Sequence, residues 1–161
     1  MGQRGQGPHR EVGKHPALGR QRQIAVLVEH FNTPRHRGVL EEADVAMPGG
    51  SPECGGSVVI YLKAGEEGRI KALSFTGQGD TISQGATSLI LEQVLSEGLT
   101  MDEVLALDYD AFVDRVGREA VGSRTRNATL GLSTLKSAVR KYWKDNLLNG
   151  PTTIEPSRNG G

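Results

Sequence analysis

The first half of the chain combines a helical apolar pattern with the pattern of a β-hairpin. Apolar residues recur between Ile24 and Phe31. Later, β-branched and aromatic residues dominate residues 57–63, and a glycine-bounded turn separates them from a second segment in which Ile70 and Phe75 can face a core. In chain order, these patterns predict a short helix ending before Pro34, a loop over residues 40–56, a strand over 57–63, a turn over 65–68 and a returning strand over 69–75.

The second half of the chain has the apolar spacing of helices. Asp80 is an N-cap candidate for a helix that ends at Gly98, and Thr100 with Glu103 forms a capping box for a short helix. Two further helices are predicted over residues 108–116 and 123–145. Strands followed by a run of helices predict an α+β fold, with a small antiparallel β-sheet packed against helices.

Both ends of the chain differ in composition from the region between them. Residues 1–22 hold five arginines and lysines against one glutamate, a local charge of +4, and little that is apolar. We therefore expect a disordered basic leader, with no secretory signal because no hydrophobic stretch follows the charges. Residues 147–161 are rich in Gly and Pro and are also predicted to be disordered. The folded domain is then residues 23–146, enough for one modest core.

The net charge and the cysteine content argue against several classes of function. Nineteen basic and nineteen acidic residues give a formal net charge of zero, whereas nucleic-acid binders usually carry a basic excess. Unbroken apolar runs are no longer than that of residues 58–62, which is far too short to span a membrane. We predict a cytoplasmic protein without nucleic-acid or membrane partners. The single cysteine, Cys54, excludes an internal disulfide and a multi-cysteine metal site built from one chain.

Cys54 and Asp80 carry the candidate chemistry. Glycines beside Cys54 would leave its sulfur open to a metal or a sulfur donor, and an incidental loop cysteine is the alternative. Asp80 could lend its carboxylate to a hard metal, or it could simply cap the following helix. A Cys–His hydrolase would need Cys54 beside His30 or His36, and nothing in the sequence brings them together. We therefore predict that the protein is not an enzyme.

The last predicted helix carries a basic stripe. Lys136, Arg140 and Lys144 are spaced four residues apart and should share one face of that helix. Arg124 and Arg126 lie near its start. Such a face is either solvated or docks an acidic partner.

Two segments of the first half follow known patterns. Residues 29–40 are similar to a His-aromatic-x-Asn-Pro-Arg-x-x-Gly-x-Leu pattern, with Thr33 as an insertion. Residues 51–56, Ser-Pro-Glu-Cys-Gly-Gly, are similar to an Asn-Pro-x-Cys-Gly-Asp loop that precedes a hairpin. Both patterns resemble those of the NifU/IscU/SufU family of iron–sulfur cluster assembly scaffolds.

Two later segments extend the resemblance to residues 24–145. Residues 75–83 reproduce the Phe-x-Gly-x-Gly-Cys-x-Ile-Ser signature of the SufU-like branch, with Asp80 at the cysteine position. An alternative spacing of that cysteine would place Gln78 there, but the matching glycines, Ile and Ser favour Asp80. Residues 123–130 resemble the family's Arg-x-x-Cys-Ala-Thr-Leu helix start, with Asn127 at the cysteine position.

The resemblance implies a set of site residues. In the family, three cysteines and one aspartate converge to bind zinc, iron or a nascent cluster. Carried over to this sequence, the first cysteine is Cys54, the aspartate falls at Gly56, and the other two cysteines fall at Asp80 and Asn127. The implied cofactor-binding residues are Cys54, Asp80 and Asn127, and the implied metal ligands are Cys54 and Asp80. Because a cluster needs about four soft ligands, we expect its binding to be weakened or lost.

The resemblance also implies a function. It is that of an iron–sulfur cluster assembly scaffold-like protein, whose cofactor would be an iron–sulfur cluster, zinc or iron. Its partners would be a cysteine desulfurase and other cluster-assembly proteins, and Cys54 would serve as a sulfur acceptor or as one ligand of a shared site. The alternative is a non-metal interaction module that docks a cysteine desulfurase or another partner.

Overall fold

The computed structural model describes residues 16–149, and residues 19–147 with their side chains. That part of the chain folds as one helix, then a three-stranded sheet, then a run of further helices, which confirms the predicted α+β class. Its elements are, in chain order, α1 (Pro16–Asn32), β1 (Val45–Ser51), a 3₁₀ turn (Pro52–Cys54), β2 (Gly56–Ala64), a second 3₁₀ turn (Glu66–Gly68), β3 (Ile70–Gly79), α2 (Thr81–Glu97), α3 (Met101–Leu105), α4 (Tyr109–Val116), α5 (Arg118–Val121) and α6 (Thr125–Asn149).

The described strands form an antiparallel sheet in the order β1-β2-β3. The predicted hairpin is confirmed by β2 and β3, which pair along their length and place Ile60 opposite Phe75. The loop predicted over residues 40–56 is wrong in part, because β1 pairs with β2 from Val45 to Ser51. The composition of β1 hides the strand: it contains Pro48 and two glycines, which an edge strand tolerates because only one side of it is paired.

The core lies between one face of the sheet and the helices α2 and α6. Alternate residues of β2, namely Val58, Ile60 and Leu62, are buried, as expected for a strand with one covered face. Helix α2 is buried on most of its surface because it contacts α1, α6 and β3. In α6, the predicted core positions Leu132, Leu135 and Val139 are fully buried.

The predicted residues that begin and end α2, and those that begin α3, are confirmed. Asp80 caps α2, Gly98 ends it with a φ of 63°, and Thr100 and Glu103 form the capping box of α3. Asp108 caps α4, and the short helix α5 was not predicted.

The ends of the described region differ from the expected boundaries. Helix α1 begins at Pro16, inside the segment predicted as leader, and α6 continues to Asn149, inside the predicted tail. The remainder of both predicted segments, residues 1–15 and 150–161, lies outside the described residues. None of the described helices combines the length and apolar character that crossing a membrane requires.

Candidate functional site

The three segments with the implied site residues meet at one end of the sheet. They are the loop that enters β2, the junction between β3 and α2, and the start of α6. Gly56 pairs with Gly79 across the hairpin, and the Asp80 N–H donates to the Gly55 carbonyl oxygen at 2.9 Å. Helix α6 approaches so closely that a Cβ on Gly55 would lie 2.4 Å from the Asn127 Nδ2 atom. The structure therefore brings together the segments that carry Cys54, Asp80 and Asn127.

The Asp80 carboxylate lies at the centre of this site and accepts hydrogen bonds from neighbouring residues. Oδ1 accepts the Ser83 backbone N–H at 2.7 Å, and Oδ2 accepts the Asn127 Nδ2–H at 2.7 Å. Oδ2 also accepts a hydrogen bond from the Arg124 guanidinium, which forms an ion pair with it. We call these four residues, Asp80, Ser83, Arg124 and Asn127, the Asp80 cluster.

The environment keeps Asp80 ionised. Burial acts to raise the pKa of Asp80, since its side chain is only 25% exposed. Hydrogen bonds from Ser83 and Asn127, together with the charge of Arg124, outweigh burial and lower this pKa from its ordinary value. The carboxylate is thus charged near neutral pH and is paired on both of its oxygens.

Cys54 has a different setting from the other two site residues. It ends the 3₁₀ turn after β1, is exposed, and carries a free thiol. Gly55 follows in the left-handed region with a φ of 98°, which turns the chain into β2. Cys54 lines a cavity of about 390 Å³ together with Tyr109, Arg126 and Leu130, among others. Its sulfur can therefore meet an incoming group.

Gly56 stands at the position of the family's aspartate, and its surroundings leave no room for a side chain. A Cβ on Gly56 would lie 2.3 Å from the Ser83 Oγ atom and 3.0 Å from the Ser83 Cβ atom. Ser83 is fully buried, so it has little freedom to move away. A fourth ligand at this position would require rearrangement of the start of α2.

His30 and His36 are engaged with residues of α2 rather than with Cys54. His30 is buried, and its Nδ1 atom lies 2.8 Å from the Ser88 Oγ atom. The His36 Nε2 atom lies 2.8 Å from the Glu92 Oε1 atom. Both histidines thus join the end of α1 and the loop after it to α2, as part of the structure.

The residues at this site do not fit a metal ion or a cluster. Within the part of the chain that the structure describes, no three His, Cys, Asp or Glu side chains are grouped closely enough to hold a metal. The Asn127 side-chain amide donates a hydrogen bond to the Asp80 Oδ2 atom, and the Arg124 guanidinium forms an ion pair with the same oxygen. Cys54 alone offers a soft ligand, and a cluster needs about four.

Sequence reasoning missed the role of Arg124 and the burial of Lys136. Arg124 falls at the arginine of the fourth motif, which was a usable signal, but its partner is set by the tertiary fold. The expectation that the face of Lys136, Arg140 and Lys144 is solvated or docks an acidic partner is wrong for Lys136, which is only 5% exposed. Its ammonium donates to the Leu105 and Leu107 carbonyl oxygens and lies 4.4 Å from the centre of the Tyr109 ring.

Comparison with known proteins extends the resemblance from four motifs to most of the chain. Residues 23–148 match the family described as the NifU-like N terminal domain. The iron-sulfur cluster assembly scaffold protein IscU of Thermotoga maritima is 32% identical over 69% of this chain and 75% of that protein. The zinc-dependent sulfurtransferase SufU of Bacillus subtilis is 24% identical over 72% of this chain and 88% of that protein.

Solved structures give the same result for the fold. The N-terminal part of a NifU-like protein from Brucella abortus superposes with a TM-score of 0.64 at 21% identity, covering 78% of this chain and 98% of that one. A putative scaffold protein for the SUF system from Fervidobacterium islandicum gives a TM-score of 0.58 at 21% identity, covering 71% of this chain and 93% of that one. The predicted scaffold-type fold is therefore confirmed.

Proposed function

This chain belongs to the family of NifU-like N-terminal domains, and we propose that it acts in iron–sulfur cluster assembly as a scaffold-like binding protein. The relatives whose names state this role support the proposal, because they match along most of their own length. The single observation that carries the proposal is the exposed Cys54 thiol on a loop that is hydrogen-bonded to Asp80 through Gly55 and lies against Asn127.

In this proposal Cys54 is the acceptor of sulfur, which is the cargo of the protein. The Cys54 thiolate attacks the outer sulfur of a persulfide on a cysteine desulfurase. The bond between the two sulfurs of the donor breaks, the donor leaves as a thiolate, and Cys54 carries the persulfide. The cavity beside Cys54 provides space for the donor's cysteine and the residues next to it.

The Asp80 cluster bears on whether this protein supplies ligands for a metal ion or a cluster. Because Asp80 and Asn127 bond to each other, we propose that neither residue ligates a resident zinc ion or cluster. Iron would then need a site whose remaining ligands a partner protein provides. This role is that of a binding protein, although the relatives include a sulfurtransferase as well as scaffolds.

The test is transfer of ³⁵S from a cysteine desulfurase charged with labelled cysteine. We expect non-reducing gels to show label on the parent protein, its release by dithiothreitol, and no label on Cys54→Ser. A folded parent protein that takes up no label would refute the role of sulfur acceptor.

The second candidate, a non-metal interaction module, is favoured by the mismatch between this site and a metal. Size-exclusion chromatography with the desulfurase separates the two. Binding without transfer of label would support the interaction module, whereas binding with transfer supports the acceptor.

A further inference from the structure

We propose that the Arg124 guanidinium is the fixed cation of this site, a positive charge supplied by the chain itself that helps to join the three segments through Asp80 and keeps a metal ion from binding there. This inference goes beyond the proposed function, because it holds whether or not Cys54 accepts sulfur. It concerns the residues that position the Cys54 loop.

The connections run from each segment to Asp80. Its backbone N–H binds Gly55 in the Cys54 loop, and its carboxylate accepts one N–H from Ser83 in α2. From the start of α6, Asn127 and Arg124 both donate to Oδ2. One charged residue thus links the loop, the end of the hairpin and two helices. A metal ion bound between separate segments links them in a similar way.

The hydrogen bonds also explain why a metal would be excluded. Oδ2 already accepts two donors, so a metal ion could bind this oxygen only by displacing Asn127 or Arg124. Arg124 pairs with this oxygen through its positively charged guanidinium, which a metal ion would have to displace. A divalent cation at Asp80 would lie within a few ångströms of that guanidinium, and the two positive charges would repel each other.

An ordinary surface ion pair is the competing explanation. The Arg124 side chain is 53% exposed, and exposed pairs contribute little to stability. The Asp80 side chain, however, is 25% exposed and shares one oxygen between Arg124 and Asn127. The competing explanation therefore predicts no special effect of Arg124 on the loop or on metal binding, and the proposal predicts both.

The first experiment compares Arg124→Gln with Arg126→Gln. Both variants lose one positive charge near the start of α6, but Arg126 forms no ion pair within the described residues. We expect Arg124→Gln to lower the melting temperature by about 2 °C and Arg126→Gln to change it by about 0.5 °C or less. Hydrogen exchange should rise in peptides covering residues 52–56 and 78–84 of Arg124→Gln alone. Equal behaviour of the two variants in both measurements would overturn the proposal.

The second experiment measures exclusion of metal with zinc as the probe. Competition with a chromophoric chelator should show no tight zinc binding by the parent protein, and its melting temperature should not respond to zinc or EDTA. The variant Asp80→Cys/Asn127→Cys, which offers three thiolates with Cys54, should bind zinc at least about tenfold more tightly when Arg124→Gln is added.

The outcomes of the zinc experiment decide the exclusion step. Tight zinc binding by the parent, or equal zinc affinity with and without Arg124 in the cysteine variant, would overturn it. If the cysteine variant does not fold, the same chelator assay on the parent and on Arg124→Gln still tests whether the parent excludes zinc.

Discussion

Replacing Asp80 by alanine removes every interaction of one carboxylate, and the loss of stability can be worked out from its contacts. Loss of the N-cap of α2 costs about 1 kcal/mol. Loss of the hydrogen bond from Asn127 costs about 1 kcal/mol, and the ion pair with the half-exposed Arg124 contributes about 0.5 kcal/mol more. We expect Asp80→Ala to lower the free energy of unfolding by about 2.5 kcal/mol, measured by urea denaturation at pH 7.

Asp108→Ala is the matched control for the cap. Asp108 caps α4 in the same way, accepting the Ala111 N–H at 2.8 Å, and within the described residues it forms no ion pair. Its replacement should cost about 1 kcal/mol. The difference between the two variants then measures the contacts with Arg124 and Asn127. If the two variants lose the same stability, the contacts beyond the cap contribute nothing and the reasoning is refuted.

The pH dependence gives an independent check of the same prediction. The folded structure lowers the pKa of Asp80, so its carboxylate binds protons more weakly than in the unfolded chain. Its stabilising contribution is therefore complete above the unfolded pKa of about 4 and is lost as the pH falls through the folded value. The difference in stability between the parent and Asp80→Asn should shrink as the pH is lowered below about 4. A difference that stays constant with pH would contradict an ionised, paired Asp80.

Three further predictions concern other parts of the molecule. Cys54 is exposed, so iodoacetamide should label it fully without denaturant, and labelling only after unfolding would contradict its position. A Cβ on Gly131 would lie 2.6 Å from the Thr87 Oγ1 atom, so Gly131→Ala should cost about 1–3 kcal/mol in urea denaturation, and unchanged stability would disprove this close approach of α6 to α2. Lys136→Met keeps the buried stem but loses the bonds to the Leu105 and Leu107 carbonyls, so we expect a loss of about 1–2 kcal/mol, contradicted by equal or greater stability.

The parts of the fold that the sequence predicted well are set by neighbouring residues. The cap at Asp80, the stop at Gly98 and the capping box at Thr100 need only three or four consecutive residues, and each was found where expected. Strand β1 was missed because its stability comes from pairing with β2 rather than from its own residues. A segment containing Pro48 and two glycines has little intrinsic preference for a strand.

In the candidate site, too, the features set by neighbouring residues were predictable, and the features set by the tertiary fold were not. The motifs were sufficient to indicate which three segments carry Cys54, Asp80 and Asn127, since each motif is contiguous in sequence. They could not indicate that Asp80 and Asn127 bond to each other, because the residues are 47 positions apart. The burial of Lys136 was missed for a similar reason: helical spacing gives the face of a residue, but α3 and α4 decide whether that face is covered.

The residues at the family's ligand positions complement one another chemically. Cysteine thiolates side by side need a cation between them, whereas a carboxylate at Asp80 and an amide at Asn127 complement each other as acceptor and donor. Arg124, which the motif already places at the start of α6, then neutralises the carboxylate. At Gly56, the buried Ser83 occupies the space that another ligand side chain would need. These polar groups satisfy one another, so among the implied ligand positions the Cys54 thiol is the group that is left exposed.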